Sequence, residues 1–167
     1  MKSTLFFLAV VLVLPVLAFA DDDHHKGTKQ LSVVVNDIYK NSCGSCHFAY
    51  QPGLLPSKSW VKILDEPDAH PGGNVSLDEK AKSEVRNYLI QNSAENSHSK
   101  RSKKIMNSIG SDAPVRISEI PYIKHKHHEI KQEVFARKAI GSRANCIACH
   151  RSAESGGYDD DDVVIPK

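Results

Sequence analysis

The pentapeptide Cys43-Gly44-Ser45-Cys46-His47 recurs as Cys146-Ile147-Ala148-Cys149-His150. In each copy two thiols stand one turn apart and an imidazole follows at once. That spacing lets both sulfurs add to the two vinyl groups of one haem while the histidine reaches the iron from below. The same residue types could make a zinc site or a redox dithiol. Zinc patterns rarely set a histidine directly after the second cysteine in both halves, and a free dithiol suits an exported chain poorly. Two covalently attached haem c groups are therefore the expected cofactors. Cys43, Cys46, Cys146 and Cys149 would be the tethers, and His47 and His150 the fifth ligands. All four cysteines of the chain are consumed this way, which leaves none for disulfides.

The sixth position of each iron decides the chemistry. A strong second ligand makes an electron carrier, whereas an open position makes a gas binder or a peroxidase. Besides Met1 the only methionine is Met106, so at most one iron of a processed chain could be Met/His. Histidine is more abundant. His70 follows His47 by 23 residues, and His127 precedes His150 by the same interval. His125 and His128 flank His127, and one of the three is expected to be a ligand. His24 and His25 lie in the charged stretch DDDHHKGTKQ, a poor mount for a ligand, and His98 reads as solvent-facing. Two imidazoles per iron would lower the potential relative to Met/His and leave no site free for substrate. Paired carboxylates, an activated nucleophile and a phosphate-binding loop are all missing from the pattern, which leaves a dihaem peroxidase or gas-binding protein with one open iron as the alternative.

Around these residues the chain must supply mounts. Residues 1–20 read as a cleaved export signal, with Lys2, the apolar run Leu5 to Val16, and Ala18-Phe19-Ala20 before Asp21. The run is short of the ~20 residues of a membrane span. Residues 21–167 then form one domain, with a first-haem half over about 31–92, a linker over about 93–112 and a second-haem half over about 113–167. Leu31, Val34, Val35, Ile38 and Tyr39 have the spacing of a helix face that would deliver Cys43. The turn-rich loop FAYQPGLLP can lie against a haem face, which makes Tyr50 a candidate cofactor contact. Ser57 is the expected N-cap of a short helix that turns Trp60, a second candidate contact, inward and stops at Pro67. Ser76 and Glu79 read as a capping box, opening a helix whose inner face holds Val85 and Leu89. The linker has room for one helical turn around Ile105, Met106 and Ile109, and it carries the basic run Lys100, Arg101, Lys103 and Lys104, a solvated face or a docking face for an acidic partner. The histidines at 125–128 should occupy the first turns of a helix ending near Gly141. The expected fold is mostly α with extensive loops, its core built around the two haems. Lys and Arg number 22 against 20 Asp and Glu, a balance that gives a nucleic-acid role no support.

Longer strings carry a family likeness. C-G-S-C-H followed by F-A-Y-Q-P-G-L-L-P-S-K-S-W and D-A-H-P-G-G-N-V-S-L-D resembles the first half of the dihaem cytochrome c family, small exported bacterial carriers. R-I-S-E-I-P-Y-I-K-H-K-H-H-E-I, N-C-I-A-C-H-R-S-A-E-S-G-G-Y and the closing I-P resemble its second half. Gln51 stands where the family commonly has proline, and Pro71-Gly72 replaces an aromatic-Gly pair. The resemblance implies bis-histidine, low-potential haems with His70 and His127 as the second ligands. It also implies periplasmic electron transfer, with a membrane cytochrome b as donor and a small monohaem cytochrome c as acceptor.

Overall fold

Helix α1 spans Asp37–Cys43 and carries the first cysteine on its last turn. The computed structural model describes residues 28–66, 70 and 76–167. The expected signal, His24 and His25, Pro67 and Pro71-Gly72 lie outside the described residues. The helix expected from Leu31 onward begins only at Asp37, where Asn36 caps it and its Oδ1 accepts from the Tyr39 N–H at 2.7 Å. Three successive valines, Val33 to Val35, lose rotamer freedom in a helix. Leu31 is also held elsewhere, its N–H donating to the Gly156 carbonyl at 3.0 Å. The apolar spacing is real in part, since Leu31, Val34 and Tyr39 are buried, but Val35 is 76% exposed.

Gly156 is required at that joint. Its φ is +84°, and a Cβ there would overlap the Leu31 carbonyl oxygen. Gly156→Ala should cost about 2–4 kcal/mol, combining left-handed strain with a steric clash. Denaturant unfolding of the ferric holoprotein reads this directly, and an unchanged midpoint would contradict the tie between chain start and second-haem loop.

Helix α2 (Ser57–Asp65) is capped from a distance. Ser57 is its first residue, not its cap, and the Ser57 N–H donates to the two Glu95 carboxylate oxygens at 2.9 and 3.1 Å. The Ser57 hydroxyl donates to Glu95 as well. Burial alone would raise the Glu95 carboxyl, but these hydrogen bonds outweigh it and hold the group below its ordinary value. From this helix Trp60 turns into the core, its indole N–H donating to the Pro52 carbonyl at 2.8 Å and its ring meeting Tyr39 edge-on. Helix α3 (Glu79–Gln91) packs on α2 through Val85 and Leu89. Its cap is Asp78, whose Oδ1 accepts from the Ala81 N–H at 2.8 Å, and not Ser76.

The segment read as a linker, 93–112, holds helix α4 (Lys100–Ile109), capped by Ser99. Its serines and lysines had suggested solvent. In fact Ser102, Ile105 and Ile109 share one face and are buried, with the Ser102 hydroxyl donating to the Gly53 carbonyl at 2.8 Å. The long helix expected from the histidines to Gly141 is also replaced. Helix α5 (Pro121–Lys126) starts on Pro121 and ends before His127, its C-cap; α6 is the single turn Gln132–Phe135. Histidine is a weak helix former, and the chain turns where three of its four residues are His. The last residues return over the second motif, with an isolated bridge between His150 and Val163 and the Val164 N–H donating to the Cys149 carbonyl at 2.9 Å. The architecture is mostly α with extensive loops, as expected; among the described residues no strand forms beyond that bridge. Nor is any described helix long and apolar enough to cross a membrane.

Candidate functional site

The first motif occupies the end of α1 and the turn after it, and the second a short 3-10 turn, Cys146–Ala148. None of the four cysteines forms a disulfide. Burial pushes the Cys43 and Cys146 thiols each up to about 11. Among the described residues no three His, Cys, Asp or Glu side chains group closely enough to hold a metal ion alone.

The histidines are arranged in two facing pairs. The rings of His47 and His70 have centres 6.2 Å apart with planes at 33°, and those of His127 and His150 are 6.0 Å apart at 76°. Two imidazoles bound on opposite sides of one metal, each by a bond of about 2.0 Å, place their ring centres about 6.3 Å apart. Both pairs fit that spacing. His47 Nδ1 lies 2.8 Å from the Phe48 carbonyl oxygen, and His127 Nδ1 lies 2.8 Å from that of Ile123. A carbonyl only accepts, so each Nδ1 carries the proton and each Nε2 keeps its lone pair for a metal. His150 differs: its Nδ1 is buried without a hydrogen-bond partner, and burial, with His127 and Arg101 nearby, lowers its tendency to protonate.

Both pairs line a cavity of about 1250 Å³, together with Cys43, Cys146 and Cys149. That exceeds the ~300–1,000 Å³ of an ordinary small-molecule site. Its walls are largely apolar, with Leu54, Leu55, Trp60, Phe135 and Ile140 among them. Trp60 and Tyr50, the two expected cofactor contacts, both line it. Tyr50 stacks on His47 at 4.7 Å and its hydroxyl donates to the Ala144 carbonyl at 2.5 Å, joining the first histidine pair to the approach of the second motif. Met106 does not line the cavity and packs against the core instead. His125 and His128 stack on each other, centres 5.4 Å apart and planes at 3°, and both are exposed.

Three residues of this site escape sequence reasoning. Gln51 is 1% exposed; its Nε2 donates to the Ala153 carbonyl and its Oε1 accepts from the Tyr158 hydroxyl, each at 2.6 Å. It thereby stitches the loop after the first motif to the loop after the second, and its departure from the common proline was the available signal. Tyr158 packs on His150 with ring centres 5.4 Å apart. Arg101, read as part of a solvated basic run, faces inward from α4 with only 11% of its side chain exposed. Nothing in its local sequence separates it from Lys100, Lys103 and Lys104.

A family model described as dihaem cytochrome c matches residues 39–158. Among solved structures the chain is similar to a diheme cytochrome c from Rhodobacter sphaeroides, at 34% identity, covering 76% of this chain and 99% of that one, with a TM-score of 0.65. It is also similar to a diheme cytochrome type c from Shewanella baltica OS155, at 33% identity, covering 78% and 93%, with a TM-score of 0.64. No curated protein matches.

Proposed function

From the premise that this chain belongs to the dihaem cytochrome c family, and so takes two haem c groups, we propose that it is a periplasmic electron carrier whose two irons are each held by two histidines. The family is generally one of electron carriers. The observation that carries the finer reading is the two pairs of facing imidazoles, with ring centres 6.2 and 6.0 Å apart, each pair including one motif histidine. When bound, each haem supplies a one-electron couple.

The chain's own residues supply the rest. The four cysteines tether, and His47 and His150 hold one side of each site. His70 and His127 close the other side, so no position is left for a substrate. The bonds from His47 to Phe48 and from His127 to Ile123 keep these rings aimed in one orientation whatever the charge between them. Largely apolar walls line the same space. A site that presents the same two ligands before and after transfer needs little rearrangement. A membrane cytochrome b as donor and a small monohaem cytochrome c as acceptor complete the proposed relay, and the Lys2 to Ala20 pattern supports export.

Carbon monoxide tests the reading. Added to the fully reduced holoprotein, it should leave the absorption spectrum unchanged at both haems. A shift at either one would mean an open iron and favour a peroxidase or gas-binding role.

A further inference from the structure

We propose that the second histidine pair holds its iron at a higher reduction potential than the first, with Arg101 as a positioning residue that helps set the difference. The inference rests on the bis-histidine reading. In the one-electron-reduced protein the electron then rests between His127 and His150, and the iron between His47 and His70 stays ferric; no proton moves.

Two independent features of the two pairs act in this direction. The first is ring orientation. At 33° the planes of His47 and His70 are closer to parallel, so both imidazole π systems donate into the same iron d orbital, where the ferric hole lies, and stabilise the ferric state. At 76° those of His127 and His150 divide that donation between two orbitals, and the ferric state gains less. Each pair also has one ring whose Nδ1 proton is shared with a backbone carbonyl, His47 with Phe48 and His127 with Ile123, so that bond is common to both pairs.

The second is charge. Arg101 lies over the Tyr158 ring at 5.4 Å, and that ring in turn packs on His150 at 5.4 Å. An Arg101 Nη2–H donates to the Tyr158 carbonyl at 2.8 Å, while Nε is buried without a partner beside the cavity. A buried positive charge favours the iron state with one positive charge fewer. Two carboxylates oppose it, and both are engaged at the surface. Asp159 lies 4.0 Å from Arg101 and 3.8 Å from Lys29, with about half its side chain exposed. Asp160 accepts from Lys126 at 2.6 Å and is more exposed still. Solvent screens these pairs more than it screens Arg101.

Electron paramagnetic resonance of the oxidised holoprotein, followed through a stepwise reductive titration, separates the sites. Near-perpendicular rings give a low-spin ferric signal dominated by one large g value, and nearer-parallel rings give a rhombic one. Both signals should be present, and the large-g signal should vanish first. Arg101→Gln should shift the loss of that signal alone, by about tenfold in its reduction equilibrium, or 59 mV for one electron; Arg101→Lys should retain most of the wild-type value. Loss of the rhombic signal first, or two signals of one shape, overturns the inference while leaving bis-histidine ligation standing. An equal shift of both signals in Arg101→Gln overturns the role of Arg101. A high-spin ferric signal would overturn the ligation reading and this one with it. The wild-type titration decides the order of reduction even if the Arg101 variants fold poorly.

Discussion

His127→Ala is expected to leave both haems covalently attached and to turn one iron from inert to carbon monoxide into one that binds it stoichiometrically when reduced. Attachment depends on Cys146 and Cys149, which the substitution does not touch. What it removes is the ring whose centre stands 6.0 Å from that of His150. The neighbours are poor replacements. His125 and His128 stack on each other at the surface, and His128 keeps 63% of its side chain exposed. His128→Ala and His125→Ala should accordingly leave both irons closed. His70→Ala should open the other iron in the same way, because its ring faces His47 at 6.2 Å. One absorption spectrum per variant, reduced and then exposed to carbon monoxide, reads the result. An open iron in His128→Ala with a closed one in His127→Ala would reassign the ligand.

Chain made without haem attachment should not fold cooperatively. The 1250 Å³ cavity lies among Leu54, Leu55, Trp60 and Phe135, residues that otherwise form much of the core. Leaving a tenth of that volume empty would already cost about 3 kcal/mol at ~24 cal/mol per Å³. The entire stability of a domain this size is only about 5–15 kcal/mol. With Cys43, Cys46, Cys146 and Cys149 all replaced by alanine, the protein should lose its near-ultraviolet circular dichroism and bind a hydrophobic dye while keeping part of its helical signal. A cooperative melt within a few degrees of the holoprotein would show that the haems are passengers in the fold.

The sequence and the fold divide the explanation unevenly. The two C-x-x-C-H motifs were legible because their chemistry is local, two sulfurs and an imidazole within five residues. The long strings around them carried the family in the same way, and the elements with buried periodic faces, α2 and α3, were found. Element boundaries were less legible. Glu95 and Asp78 do the capping that Ser57 and Ser76 were expected to do, because a cap is chosen by where the chain arrives, and Glu95 arrives from 38 residues away. Helix α4 was expected only as one turn around Ile105, Met106 and Ile109, and its full extent was hidden for a related reason. Its exposed face is rich in lysine, and the few residues that bury it, Ser102, Ile105 and Ile109, mean little until something packs on them.

By itself the sequence supplied two haem-attachment motifs, Cys43 to His47 and Cys146 to His150, and it supplied His70 and His127 as candidate second ligands. Only the tertiary structure decided which rings face one another, that the planes stand at 33° in one pair and 76° in the other, and that Arg101 turns inward toward Tyr158. The physical reason is range. Thioether attachment is set by neighbouring residues, whereas the second side of each iron and the charge around it are set by packing between segments tens of residues apart.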